Sequence, residues 1–502
     1  VQDKSFVPSD IAVQDSKWDL AKWGQPGDLW FPHMYEENQD PTCSWDINCM
    51  NPLGRWDYGP WIWPPVQLPG NPVNPSAALT ASIVPEAFMD VMMVNGTVYP
   101  KAVVQPKAYR LRILNASNDR FLNLQLYYAI KGATFDTTRR AYFDRVTGTA
   151  CIGAAGTPAE CTEVAMVPRN GDTYTTVWGD DSTVPFDGRP GGVPNPVNAG
   201  PKMFQIATEG GLLPAAVLKN APPIPVTYDT DPKSMTVGNV IDGTLILGPA
   251  ERAEVVVDFS QVPAGSTLIL YNDAPAAYPA GDQRYDYYTF GPSWVDAGGA
   301  PSPEVGKGPN TRTVMQFVVD PAGTPAAAYD FAALQAAMPA AYAASQEKPL
   351  IPEPDYRGSF PGQPVKGQYA RINMTTTFSF TDDAGVVQSL PIHQKAIAEE
   401  FDPVWGRMSA GLGTEAMVTG NQGQNTFGFM YVDPATEVVP QGETQIWKLT
   451  HNGVDTHAIH FHLLNVQVVN RVDWAGVVKP PDPNEVGWKE TVRMNPLEDI
   501  IL

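Results

Sequence analysis

Along much of the chain, polar and apolar residues alternate with a period of two, as they do in a strand with one buried face. Ala108-Tyr-Arg-Leu-Arg-Ile-Leu114 and Phe121-Leu-Asn-Leu-Gln-Leu126 follow it. Ala253-Glu-Val-Val-Val-Asp-Phe259 and Thr267-Leu-Ile-Leu-Tyr271 flank a turn signal, Val262-Pro-Ala-Gly265. Thr311-Arg-Thr-Val-Met-Gln-Phe-Val-Val319 is the next strand-like run. Nearer the C-terminal end come Thr444-Gln-Ile-Trp-Lys-Leu449 and Val466-Gln-Val-Val-Asn-Arg471, and Asp499-Ile-Ile-Leu502 reads as the opening of another strand. Many short strands separated by turn signals predict an all-β fold of antiparallel sandwiches.

Between these runs lie stretches without that period. Residues 43–80 hold Trp45, Trp56, Trp61 and Trp63 among many prolines, and 128–202 is rich in Gly and Pro. Aromatic residues there need burial, which makes these stretches ordered excursions on a β scaffold. The Ala/Pro-rich segment 320–348 reads as a connector with one short helix, and the main boundary is placed near residue 325. Lys395-Ala-Ile-Ala-Glu-Glu-Phe401 has the composition of a second helix.

Composition narrows the class. Hydrophobic residues make up 43% of the 502 and charged residues only 17%, enough apolar content to exclude wholesale disorder. The net charge of −21 argues against nucleic acid or an anionic membrane as a partner and favours cations near the surface. No run is long and apolar enough for a transmembrane span. Pro 50 and Gly 43 suit strands joined by turn-rich loops. Cys43 and Cys49 form one short-range pair, and Cys151 and Cys161 another. Each pair can close a surface loop, which favours an oxidising compartment; four buried thiols in a reducing one is the alternative. Asn95, Asn115 and Asn373 each open a glycosylation tripeptide. The chain starts at Val1 rather than Met and stops within a strand-like run, so both ends are expected to be cut from something longer.

Histidine is scarce: six residues, of which His451, His457, His460 and His462 fall within twelve positions. In an extended strand, positions 460 and 462 share a face and 457 points elsewhere. Two ligands to one side and a third toward a separate site is the chemical reading, and imidazole suits copper, zinc, iron and nickel. Use of the three in packing or surface polarity is the plainer one. A structural zinc site takes four ligands and is left incomplete. His33 and His393 read as ordinary loop residues, and no activated-nucleophile motif supports a hydrolase.

Thr456-His457-Ala-Ile-His460-Phe-His462 resembles the first histidine motif in the C-terminal cupredoxin domain of multicopper oxidases, with Ala458 where Pro is usual. Further blocks recur in the family's order. They are Val1-Gln-Asp-Lys-Ser-Phe6, Val94-Asn-Gly-Thr-Val-Tyr-Pro100, Tyr109-Arg-Leu-Arg-Ile-Leu-Asn-Ala-Ser-Asn118, Glu209-Gly-Gly-Leu-Leu213, Leu247-Gly-Pro-Ala-Glu-Arg252 and Gly487-Trp-Lys-Glu-Thr-Val492. They resemble spore-coat-laccase-like and bilirubin-oxidase-like bacterial members.

The resemblance implies cupredoxin-like Greek-key β-sandwiches with long insertions. Residues 1–325 would be the family's second domain, with insertions at about 7–90 and 128–202, and 326–502 an incomplete third. It implies copper, with His457 at type 1, His460 at type 2 and His462 at type 3. It also implies an extracytoplasmic or secreted enzyme that couples one-electron oxidation of a phenol, a pigment or a metal ion such as Mn(II) to reduction of dioxygen. The sequence lacks the family's N-terminal His-x-His pairs and its C-terminal His-Cys-His segment. The missing first domain and closing segment would lie on the same longer polypeptide or another chain. The competing expectation is a non-catalytic cupredoxin-like module of an extracellular or coat assembly. Asp455 and Asp473 flank the motif as candidates for substrate approach or support of a ligand, with surface charge and loop capping as the alternatives.

Overall fold

The computed structural model describes residues 1–7, 88–132, 150–153, 160–167, 193–279, 310–351, 377–402 (apart from 383), 407–416 and 438–502, with parts of 9–30, 56–63, 134–143, 286–308 and 425–434. Cys43, Cys49, His33, Trp45 and Asn373 lie outside the described residues.

Among the described residues the architecture is β-sheet throughout, with one long helix. In the first half a five-stranded sheet runs, edge to edge, Leu245–Leu247, Leu122–Tyr128, Thr267–Asn272, Thr313–Val319 and Lys101–Val104. Its ladders are antiparallel except the last, where Gln316 opposite Lys101 begins a parallel pairing. A four-stranded sheet follows the order Gly211–Lys219, Met203–Thr208, Arg252–Asp258, Ala108–Leu114. The predicted alternation decides which side chains meet. Leu122, Leu124 and Leu126 share one face and pack in the same core as Met203, Val255 and Val257 of the other sheet. Asn123, Gln125 and Tyr127 take the opposite face. That face is also covered: Gln125 donates to the Ile224 carbonyl at 2.7 Å. Tyr127 packs with Ile269, Tyr271, Cys151 and Cys161. Fully burying each leucine contributes roughly 1.5–3 kcal/mol.

Cys151 and Cys161 form a disulfide, as their spacing suggested. Asn115 is fully buried, and its amide donates to the Arg120 and Leu247 carbonyls, both at 2.9 Å. The glycosylation tripeptide there is therefore inaccessible and serves the fold.

The connector carries the predicted helix, Phe331–Ser345, with Asp330 as N-cap accepting the Ala333 N–H at 2.9 Å. Phe331 stacks on Phe204 with ring centroids 4.0 Å apart, and Met338 is buried in the same cluster. The helix thus packs onto the outer face of the four-stranded sheet.

In the second half an eight-stranded sheet centres on Val387–Asp402, Ile446–His451 and Glu498–Ile501. Lys395–Phe401, expected as a helix, lies inside the strand Val387–Asp402. Ile392–Ile397 pairs in parallel with Ile446–His451, and Ala396–Asp402 pairs antiparallel with Arg407–Gly413. Pairing on both sides outweighs the local helical preference. His393 belongs to this strand as well, not to a loop. The run 466–471 is broken in two: Val466–Gln467 pairs with Trp488–Lys489, and Asn470–Asp473 with Glu498–Ile501. Glu498–Ile501 confirms the strand read at Asp499. Among the described residues, no ladder joins a strand before residue 325 to one after it.

The two halves nevertheless touch closely. A Cβ added at Gly210 would lie 2.1 Å from the Trp488 carbonyl oxygen, so only glycine admits this approach. Thr208 Oγ1 donates to the same carbonyl at 3.1 Å. The Gly210-Gly211 pair is a packing device across the halves.

Candidate metal centre

The histidine motif folds as a short strand, His457–His460, paired antiparallel with Thr491–Met494 so that His457 faces Met494 and His460 faces Thr491. Three residues apart on a strand means opposite faces. Ile459, on the His457 side, packs into the core with Leu449, Val492 and Ile500. Ala458, on the His460 side, meets the backbone of Gly248, where an added Cβ would sit 3.2 Å from the Ala458 Cβ.

The strand ends at His460, so His460 and His462 do not share it as expected. The Phe461 N–H donates to the Glu490 carbonyl at 2.8 Å, and Leu463 turns into the left-handed region at φ 65°. The bend still brings the two rings together: the centroids of His460 and His462 are 4.9 Å apart and nearly perpendicular. Both side chains are exposed.

His460 is oriented by its Nδ1 atom, which lies 2.8 Å from Thr491 Oγ1 and 3.1 Å from the Glu490 carbonyl. The carbonyl can only accept, so Nδ1 carries the proton. Thr491 Oγ1 donates onward to the Ala250 carbonyl at 3.3 Å and accepts from the imidazole. This fixes the tautomer with an unprotonated Nε2, the form a metal ligand needs.

His451 has the opposite arrangement. It is fully buried at the end of Ile446–His451. Its Nδ1 accepts the Gly453 N–H at 3.2 Å, and its Nε2–H donates to the Asp455 carbonyl at 2.6 Å. Both nitrogens are spent on the 452–455 turn, so this histidine shapes the turn rather than ligating. Its ring lies 5.2 Å from that of His457. His457 Nε2 sits 3.2 Å from Asp455 Oδ1. Asp455 therefore touches a motif histidine. Asp473 does not: it accepts the Val477 N–H at 2.9 Å and caps a turn. His457 and Asp455 open onto a cavity of about 230 Å³, lined further by Phe88, Asn118, Phe121, Tyr278 and Leu412.

Behind His460 lies a buried charge cluster that no motif or periodicity along the chain marks. Lys489 Nζ is 3.1 Å from Glu209 Oε1 and 3.0 Å from Glu251 Oε1, and all three side chains are buried. Burial raises the Glu209 carboxyl, but Lys489 and backbone donors outweigh it and hold Glu209 below its ordinary value. Burial pushes Glu251 up in spite of Lys489. Arg252 pairs with Glu490 at the rim. Glu209, Glu251, Arg252, Lys489, Glu490 and Thr491 all lie in blocks that carry the family resemblance, and the fold brings those blocks to one place.

Among the described residues, no group of three or more His, Cys, Asp or Glu side chains is arranged to hold a metal ion. Imidazole nitrogens suit copper chemically, and two neighbouring rings would not by themselves close a coordination set.

No model of a known protein family matches the chain. Two curated laccases do align along most of it. The laccase of Bacillus subtilis (strain 168) is 23% identical over 439 residues, 85% of this chain and 51% of its own length. That of Haloferax volcanii is 25% identical over 427 residues, 83% of this chain and 43% of its own. The chain is thus similar to laccases along most of its own length. It spans about half the length of these relatives. Among solved structures, the McoA multicopper oxidase of Aquifex aeolicus matches 82% of this chain and 52% of its own at 16% identity and a TM-score of 0.35. Copper is the cofactor that this likeness implies. No helix among the described residues is long and apolar enough to cross a membrane.

Proposed function

We propose that the chain is part of a copper-dependent oxidase that takes single electrons from a small reducing substrate and passes them to dioxygen, giving water. The observation that carries this reading is His460, whose Nδ1–H is tied to Thr491 and Glu490 so that Nε2 faces outward beside the His462 ring. His460 would hold a type 2 copper and His462 a type 3 copper. His457, on the opposite face of the strand, would hold a type 1 copper through Nδ1, because Nε2 is engaged by Asp455. Copper supplies one-electron redox chemistry when bound. The protein's part is to fix the imidazoles, through Thr491 and Glu490 at His460 and through the His451-braced turn at His457.

Residues 1–325 and 326–502 are read as the second and third cupredoxin domains, supported by the absence of ladders between them among the described residues. The remaining ligands would come from a first cupredoxin domain and a His-Cys-His segment elsewhere on the polypeptide or on a partner chain. The substrate is placed among phenols, pigments and metal ions such as Mn(II), and the net charge of −21 accords with a cation. The Cys151–Cys161 disulfide supports a secreted or periplasmic location.

The test is copper analysis and oxygen uptake by the full-length polypeptide with 2,6-dimethoxyphenol and with Mn(II), against a His460→Ala variant. Bound copper with uptake that His460→Ala abolishes is expected. A protein that binds no copper and consumes no oxygen would overturn the proposal and favour the non-catalytic module.

A further inference from the structure

The geometry points to Glu209 as a positioning residue for the His460 imidazole, acting from the other half of the chain through the peptide groups of Glu490 and Thr491. This deepens the copper-ligand reading of His460 and rests on it. Glu209 Oε1 accepts the N–H of Glu490 at 3.3 Å and of Thr491 at 3.2 Å. Those residues supply the two oxygens that accept from His460 Nδ1. The same Oε1 lies 3.1 Å from Lys489 Nζ, and Oε2 accepts the Arg252 N–H at 3.1 Å. Four donors thus converge on one buried carboxylate. The Gly210 approach to Trp488 sets the height at which it meets the strand.

The chain of cause is short. A strand edge at 490–491 that shifts by a few tenths of an ångström stretches both hydrogen bonds to Nδ1. The imidazole is then free to take the Nε2–H tautomer, in which Nε2 cannot ligate. Holding the ligand's second nitrogen is worth about 10–100-fold in metal affinity. Reach matters more than charge: aspartate keeps the charge beside Lys489 but is one methylene too short for the amides. Glutamine keeps an acceptor oxygen at the right distance without the charge.

The experiment compares Glu209→Asp, Glu209→Gln and wild type in the full-length apo polypeptide, labelled with ¹⁵N at histidine. Two-bond ¹⁵N–¹H spectra report each tautomer, and spectra of His460→Ala and His451→Ala assign the two signals. His451, which is not tied to Glu209, is the internal control for folding. His460 is expected as Nδ1–H in wild type and Glu209→Gln. In Glu209→Asp a growing Nε2–H component is expected, with His451 unchanged and Cu(II) affinity lowered about 10–100-fold. An unchanged His460 pattern in Glu209→Asp, or loss in Glu209→Gln alone, would overturn the positioning role. Loss of the Nδ1–H form in Glu209→Asp with wild-type Cu(II) affinity supports the positioning role but removes His460 from the ligand set.

Discussion

Replacing Lys489 with methionine tests the buried cluster between the two halves. Methionine fills nearly the same volume and leaves the strand pairing of Trp488–Lys489 with Val466–Gln467 in place. What it removes is the ammonium lying 3.1 Å from Glu209 and 3.0 Å from Glu251. Glu209 keeps three backbone donors, from Arg252, Glu490 and Thr491. Glu251 keeps the Gly248 N–H, at 2.6 Å, and the field of the Arg493 guanidinium. Breaking a buried pair from one side costs about 3–5 kcal/mol, because the partner charge is left behind. Here two carboxylates are left, but Glu251, which burial already pulls toward the neutral form, can take up a proton and relieve part of the loss. A net loss of about 3 kcal/mol at pH 7 is therefore expected. It should shrink as the pH falls and Glu251 protonates. Lys489→Met/Glu251→Gln should recover most of it, since a neutral amide needs no counter-charge. Urea denaturation followed by tryptophan fluorescence, at pH 5 and pH 7, gives both numbers. A loss below about 1 kcal/mol, or a double variant no more stable than the single one, would show that the cluster is not the electrostatic unit described.

Three further outcomes follow from single sites. Asp90 is fully buried, and desolvation pushes its carboxyl up to about 7 against an opposing hydrogen bond from Ser5 Oγ. A raised folded value means stability present below the unfolded value and lost as pH rises toward 7, so Asp90→Asn should flatten a fall of roughly 4 kcal/mol between pH 4 and 8, read from urea midpoints. Gly210→Ala puts a Cβ against the Trp488 carbonyl and should cost at least about 2 kcal/mol of stability by the same measurement; a neutral effect would contradict the close approach. Opening the Cys151–Cys161 loop with Cys161→Ser should lower stability by about 2–4 kcal/mol, with wild type in reducing agent falling to match.

The sequence made the strands legible because their cause is local. In 122–126 the period of two alone says which residues face the core, and the structure puts Leu122, Leu124 and Leu126 there. Lys395–Phe401 misled because its composition is helical while its neighbours in space, Ile446–His451 and Arg407–Gly413, lie about ten to fifty positions away and decide its form. The same distinction runs through the site. His457, His460 and His462 stand out because they are close together in a chain poor in histidine. Thr491 and Glu209 do not, since neither is unusual where it stands. Their meaning depends on contacts 31 and 282 residues apart, which no periodicity encodes. The blocks at 209–213, 247–252 and 487–492 were recognisable only by their order along the chain. The fold gives that order a physical reason: each contributes one side of the cage around Lys489 and the backbone behind His460. A ligand motif can be read from a few adjacent residues, but the side chains that hold it at its working tautomer come from wherever the fold closes. The support for a metal site is thus the part least visible in sequence, although its failure would leave the ligands present and the nitrogen unavailable.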